Sequence, residues 1–252
     1  MTSGTFAALG VRVDAVQIPD VIRQMETWIE RDRSCHSVVF ANLHGISEAR
    51  EDEGIRTAMN GAALVVADGM PLVWLGRLRG HPMPRRVYGP ELMETFCRET
   101  GSRYRHFFYG GAAGVAETLA RNLQKQFQIV VAGICSPPFR ELSAEEEEVL
   151  ACQVQAAAPD VLWVGLGAPK QERWMHEHRG RLKVPVLLGV GAAFDLNSGG
   201  LRQAPEWMRE NGLEWLFRLS VEPRRLWKRY LLKSPSALWN LSLELVHFRK
   251  FD

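Results

Sequence analysis

Short apolar runs rich in β-branched residues recur through the first 200 residues, at 37–41, 63–67, 106–109, 129–134, 161–164 and 184–190. Each ends in a turn bearing Gly or Pro and leads, in most cases, into a helical pattern, as at 112–127, 144–158 and 170–179. A strand that is apolar on both faces must bury both. Such strands separated by helices predict an α/β fold with a mainly parallel sheet covered on both faces. Ser143 followed by Glu145–Glu148 has the outline of a capped helix start. That run therefore reads as a solvated first turn rather than a metal site.

Past residue 200 the pattern changes: strand-like runs stop, and 205–219 and 223–232 read as helices, each opened by a proline suited to a first turn. At about 100° per residue, Leu226, Trp227, Tyr230 and Leu231 share one face of the second helix. Arg224, Arg225, Lys228, Arg229 and Lys233 share the other. Such a basic amphipathic helix suits a membrane interface, and it equally suits a helix packing its apolar face on a core. The expected organisation is a core over 1–200 and a basic, Trp-rich helical appendage over 201–252.

Charge sharpens this division. The chain of 252 residues carries a net charge of +2, but 201–252 holds ten Lys/Arg against six Asp/Glu, which is +4 and leaves −2 for the rest. Four of the eight tryptophans also fall there: Trp207, Trp215, Trp227 and Trp239. With 46% hydrophobic and 24% charged residues, the chain has ample material for a core. The first ten residues lack the basic start and apolar stretch of a secretory signal, and no run of about 18 apolar residues spans a bilayer. Cys35, Cys97, Cys135 and Cys152 are scattered without a CxxC pair, which fits a reducing, cytosolic setting.

In open α/β sheets, ligands bind beyond the carboxyl ends of the strands. This sequence places there Asn42, Asp68-Gly69, Gly110-Gly111 with Gly114, the run Gly165 to Glu172, and the run Gly191 to Asp195. The strand, Gly-Gly turn and helix start at 107–114 can offer backbone N–H groups to a phosphate. It can equally serve only tight strand-to-helix packing. A dinucleotide site would want an acid at the end of the next strand, where Cys135-Ser136-Pro137 stands instead. There is no GxxxxGK[ST] loop, GxSxG elbow or HExxH helix. His176 and His178, two apart on a helix, point to different sides. No Asp-x-Asp is present to hold a divalent ion against a nucleotide diphosphate, so a nucleotide-sugar transferase built this way would neutralise its leaving group with Arg, Lys or helix dipoles.

Ten ordered segments then resemble one family. They are Leu9-Gly-Val-Arg-Val-Asp14, Val66-Ala-Asp-Gly-Met-Pro71, Arg86-Val-Tyr-Gly89, Phe108-Tyr-Gly-Gly111, Ser136-Pro-Pro-Phe-Arg140, Gly165-Leu-Gly-Ala-Pro-Lys-Gln-Glu172, Gly191-Ala-Ala-Phe-Asp195, Ala204-Pro-Glu-Trp207, Gly212-Leu-Glu-Trp-Leu-Phe-Arg218 and Glu222-Pro-Arg-Arg-Leu-Trp-Lys-Arg-Tyr230. Over roughly residues 8 to 233 the chain resembles the bacterial WecG/TagA/CpsF glycosyltransferases.

The resemblance implies a Rossmann-like core and an inverting, metal-independent transfer from a UDP-sugar to a polyprenyl-diphosphate-linked sugar, in wall or capsule polymer synthesis. It implies a C-terminal appendage that docks on the inner face of the cell membrane, with no cofactor and no nucleic-acid partner. Asp68 matches the general base, Asn42, Gln171 and Asp195 match polar pocket residues, and Arg86 matches an arginine able to offset donor diphosphate charge. Arg218 and Arg225, with Arg224 and Arg229, match appendage arginines suited to a diphosphate. Two positions depart from the family pattern: Phe40 stands where a Thr is common, and Gln203 where a basic residue precedes Ala-Pro. The alternatives are a Rossmann-type NAD(P)-binding oxidoreductase and a non-enzymatic peripheral membrane scaffold.

Overall fold

Each apolar run anticipated in the sequence forms a strand in the computed structural model, which describes residues 4–245 apart from the side chains of Arg225, Arg229, Leu232 and Lys233. In chain order the elements begin with β1 (Thr5–Ala8), β2 (Val11–Asp14), α1 (Ile18–Thr27), β3 (His36–Ala41), α2 (Leu43–Glu51), α3 (Glu53–Asn60), β4 (Leu64–Ala67), α4 (Met70–Leu78) and α5 (Gly89–Thr100). They continue with β5 (Arg105–Gly110), α6 (Val115–Phe127), β6 (Val130–Cys135), α7 (Ala144–Ala157), β7 (Val161–Gly165), α8 (Lys170–His178), β8 (Val186–Gly189) and α9 (Ala193–Asn197). The last are α10 (Glu206–Glu210), α11 (Glu214–Val221), α12 (Pro223–Trp227) and α13 (Ser234–Leu245), with π-helical turns at Lys228–Lys233 between the final two.

Among the described residues the strands form an eight-stranded sheet in the order β1-β2-β4-β3-β8-β7-β5-β6. The fold is α/β and Rossmann-like, with a mainly parallel sheet: β1 and β2 pair antiparallel, while β2–β4, β3–β8, β7–β8, β5–β7 and β5–β6 run parallel. The chain divides into two compact units, one of 1–17, 40–88 and 203–252, the other of 18–39 and 89–202. The expected boundary near residue 200 is close to one edge of this division, but the tail groups with two N-terminal segments.

In the first unit the β1–β2 hairpin closes through Leu9 and Gly10, both at positive φ (50° and 82°), as a two-residue type I′ turn demands. The usual Asn-Gly signal is missing because Leu9 is itself a core residue, 1% exposed. Its N–H is satisfied by Glu244 of α13 at 2.8 Å, and the same carboxylate takes a hydrogen bond from Arg79 at 2.7 Å. Buried Ala237 and Leu241 lie on this helix, which packs against α2. Asp14 extends the ladder with its side chain, Oδ2 accepting from the Val65 N–H at 2.8 Å. Burial pushes the Asp14 carboxyl upward, against the pull of that hydrogen bond and of Arg12.

The tail helices depart from the sequence expectation in their breaks. The expected helix over 205–219 is split by Asn211 and Gly212, the latter at φ 72°, a conformation L side chains rarely adopt. The expected helix over 223–232 turns π-helical at Lys228. Leu226 is buried, but Trp227 and Leu231 are exposed, so its apolar face is only partly used for packing. Among the described residues no helix is long and apolar enough to cross a membrane.

The second unit has the larger aromatic core. Trp163 on β7 is fully buried and donates from Nε1 to Nδ1 of His106 on β5 at 3.0 Å, which fixes the imidazole proton on Nε2. Phe96, Phe108 and Trp163 ring the histidine, and burial pushes its pKa down to about 4. The unfolded chain has an ordinary imidazole near 6.5. Between these values the unfolded state binds the extra proton. Stability from this site is therefore complete above about pH 6.5 and falls as pH drops toward about 4, by on the order of 3 kcal/mol. The urea midpoint should drop between pH 7.5 and 5 in the wild type, and less steeply in His106→Gln. Equal slopes would remove His106 as the cause.

Candidate functional site

The polar residues anticipated at the strand ends form two groups, one in each unit. In the first unit β3 ends at Ala41, and Asn42 then caps α2, its Oδ1 accepting from the Gly45 N–H at 3.1 Å. Capping needs a side-chain oxygen on an extended residue, and Asn42 has φ −133° and ψ 172°. The Asp68 N–H donates to the Ala41 carbonyl at 2.8 Å, tying the end of β4 to the end of β3. Gly69 follows as the N-cap of α4, with Pro71 in the first turn. A Cβ on Gly69 would lie 3.6 Å from that of Asn42, so the Asp68-Gly69 turn rests directly on Asn42.

A strand-like segment seals the turn from the other side. Val87 N–H donates to the Ala67 carbonyl at 2.8 Å, which places Arg86 and Tyr88 on either side of that contact. The Arg86 guanidinium donates to the Asp68 backbone carbonyl at 3.2 Å and to a carboxylate oxygen of Glu214, in the first turn of α11. It also lies 4.1 Å over the Tyr88 ring, and the Tyr88 hydroxyl donates to the other Glu214 oxygen at 3.3 Å. The Arg86 and Glu214 side chains are only 14% and 13% exposed. Burial alone would lower the Arg86 pKa, but the carboxylates of Glu214 and Asp68 outweigh it and raise it. Burial, then the charges of Glu214 and Asp68, push the Tyr88 hydroxyl upward, while Arg86 and Arg218 oppose. The tyrosine therefore stays a neutral hydrogen-bond donor at physiological pH.

The first unit thus brings together Asn42, Asp68 and Arg86 of the anticipated residues, and the charge of Arg218 acts on the adjoining Tyr88 hydroxyl. Arg224 lies on α12 with an exposed side chain, whereas the side chains of Arg225 and Arg229 lie outside the described residues. Tyr88 and Glu214 were not singled out from the sequence, although both stand inside family-like segments. The signal available was Glu214's place four residues before Arg218, which sets the two on one helix face. Arg209 was also missed; its guanidinium lies 5.8 Å from the Tyr88 ring centre.

In the second unit Gly110, Gly111, Gln171 and Asp195 are associated with the ends of β5, β7 and β8. Gly110 closes β5 at φ 124°, and Gly111 follows at φ 75° with its N–H donating to the Gly165 carbonyl at 3.0 Å. That N–H is used inside the fold, so it is not the free phosphate donor expected of this turn. Gln171 is 4% exposed and donates from Nε2 to the Gly189 carbonyl at 2.6 Å, with Oε1 against Gly191. It acts on the end of β8 from within. Asp195 is half-buried in α9, its carbonyl accepting from the Leu201 N–H at 3.0 Å; the preceding Phe194 packs over Gly111 and Gly165.

These arrangements define an α/β protein whose polar strand ends combine carboxylates, amides and buried arginine. The family model described as "Glycosyl transferase WecG/TagA/CpsF family" matches residues 6–250. The chain belongs to this glycosyltransferase family. It is similar to the N-acetylglucosaminyldiphosphoundecaprenol N-acetyl-beta-D-mannosaminyltransferase of Bacillus spizizenii, 28% identical over 81% of this chain and 78% of that one. The enzymes of the same name from Bacillus subtilis (28% identical, 78% and 75% covered) and Staphylococcus aureus strain MRSA252 (26% identical, 88% and 85% covered) are similar too.

The strand-end glycines are sterically committed. A Cβ on Gly110 would sit 2.5 Å from the Gly165 carbonyl carbon, at a φ that L residues avoid. Gly110→Ala should cost about 3 kcal/mol or more. Gly180→Ala, with nothing within 4 Å of its Cβ, serves as the control. Equal melting temperatures for the two variants would refute the close approach.

Proposed function

We propose that this chain is an inverting, metal-independent glycosyltransferase that moves a sugar from a UDP-sugar to a polyprenyl-diphosphate-linked sugar in bacterial surface-polymer synthesis. The observation that carries the reading is the Arg86 guanidinium held on the Asp68 turn beyond β4, with the Arg218 charge acting on the neighbouring Tyr88 hydroxyl, in a member of this family. The names of the similar enzymes support the acceptor class, since each includes a diphosphoundecaprenol-linked amino sugar.

In this reading an acceptor hydroxyl attacks the anomeric carbon from the face opposite the UDP. The new carbon–oxygen bond forms as the bond to the diphosphate breaks, and Asp68 takes the hydroxyl proton. Negative charge then develops on the departing UDP. Arg218, with Arg224, Arg225 and Arg229 of the tail, stabilises it in place of a metal ion. Asn42 holds a sugar hydroxyl in this reading, and within the second unit Gln171 supports the Gly189–Gly191 turn.

Replacing Asp68 with Asn keeps the size of the side chain and removes the base. Turnover of a short-chain prenyl-diphosphate sugar with its UDP-sugar donor should fall at least 100-fold, with the melting temperature nearly unchanged. Undiminished turnover would show that another group takes the proton.

The tail supplies the second half of the proposal, a docking of 201–252 on the cytoplasmic membrane surface. Trp207 is 60% exposed and Trp239 67%, with Trp215, Trp227, Leu231 and Leu238 exposed between them in a segment that is +4 in charge. Exposed tryptophan interleaved with arginine and lysine is the composition of an interfacial segment facing anionic lipid. The wild type should float with vesicles containing anionic lipid, more weakly at high salt. The triple variant Trp207→Ser, Trp227→Ser and Trp239→Ser should lose at least tenfold in binding. Equal flotation of the two proteins would separate the tail from membrane docking.

A further inference from the structure

Arg86 does not stand as a cation waiting for a diphosphate. Its guanidinium is already engaged on three sides, by the Asp68 carbonyl, the Glu214 carboxylate and the Tyr88 ring. Glu214 in turn accepts from Arg86 with one oxygen and from the Tyr88 hydroxyl with the other. The two ends of this cluster lie 128 residues apart in sequence, so it joins the strand-end turn to the start of α11.

The helix is held close by its approach as well. At the turn preceding α11, a Cβ on Gly212 would lie 3.0 Å from Cη2 of Trp74 and 3.3 Å from Cβ of Met70, both on α4, the helix that begins just after Asp68-Gly69. Gly212 thus lets the α10–α11 turn lie on α4, while Glu214 fixes how α11 leaves it. Arg218 is one helical turn further along the same face. A rotation or slip of α11 that broke the Glu214 contacts would carry Arg218 away with it.

We infer that Glu214, with Tyr88 and Arg86, is a positioning residue that seats α11 on the Asp68 turn and so delivers Arg218 to the donor diphosphate. Arg86 then acts on the reaction by holding the backbone of the proposed base and the register of the helix that carries the cation. A guanidinium suits both tasks because its rigid fork donates from two separate nitrogens, Nη1 to the Asp68 carbonyl and Nη2 to the Glu214 carboxylate, where an ammonium would have to serve both acceptors from a single nitrogen. Tyr88 completes the seat by occupying the second carboxylate oxygen. The inference rests on the proposed UDP-sugar transfer for its catalytic half, and on the buried contacts alone for its structural half.

A double-mutant cycle on the full-length enzyme separates these. Glu214→Gln and Arg218→Ala should each lower kcat/KM for the UDP-sugar by 30-fold or more. If Glu214 acts through Arg218, the double variant should be no more than about threefold worse than the poorer single one. Multiplying effects, or a Glu214→Gln enzyme with full kcat/KM, would overturn the inference. Glu214→Asp, which keeps the charge but shortens the reach, should recover part of the activity; recovery by Ala to the same level would also overturn it. Amide hydrogen exchange gives an outcome independent of turnover. In Glu214→Gln, α11 should exchange at least tenfold faster while α3 is unchanged, and unaltered exchange in α11 would refute the seat even if no UDP-sugar proves to be a donor. Failure of the wild type to turn over any UDP-sugar, with faster α11 exchange in the variant, would instead refute the donor assignment and leave the seat standing.

Discussion

The polar organisation of the first unit depends on one buried cation. Arg86 is drawn out of water into a place that burial alone would make costly, and it is held there because carboxylate, carbonyl and aromatic face surround it. Removing one partner from such a buried pair leaves the other charge uncompensated, which is far more destabilising than losing the pair's net attraction. The cluster therefore works as a specification of geometry more than as a source of stability. Its contacts tie the first turn of α11 to the Asp68 turn.

The same logic governs the edges of this unit. The Leu9 N–H needs an acceptor in a turn forced to positive φ, and the Glu244 carboxylate of α13 provides it while also holding Arg79. Glu214 and Glu244 are both tail carboxylates engaged by arginines from the N-terminal segments, one at each end of 214–244. Between them the exposed face of the tail is rich in tryptophan and leucine. The segment is thus fixed near both ends by acidic anchors, with Trp227, Leu231, Leu238 and Trp239 exposed between them.

The sequence made the regular elements legible where burial is local and periodic. The runs at 37–41, 106–109 and 161–164 differ from β3, β5 and β7 by no more than one residue at any end, and the Ser143 cap of α7 is realised with its full capping box. It hid what is set by contacts far along the chain. The strands β1 and β2 are four residues each, and their turn carries the buried Leu9 in place of the usual Asn, with the partner of its backbone N–H 235 residues away. The tail breaks escaped for the related reason that Gly212 reads as a tolerable helix residue until Trp74 is known to lie against it.

The anticipated site residues show the same division at finer scale. That Asp68 and Asn42 lie at strand ends, where α/β sheets place ligands, was legible because each stands in a recognisable turn after an apolar run. Arg86 was legible as a residue, but its contacts were not: the structure gives its guanidinium the Asp68 backbone carbonyl and the Glu214 carboxylate, with Tyr88 on the other Glu214 oxygen. Gly111 shows the converse, since its expected free N–H is spent on Gly165. A sequence motif thus fixes which groups are available, and the hydrogen bonds they already make decide which remain to act on a substrate. In this chain that accounting leaves the Arg86 guanidinium already engaged by the Asp68 carbonyl and Glu214, so the proposed grip on a diphosphate falls to the arginines that the charge asymmetry of the sequence concentrates in the tail.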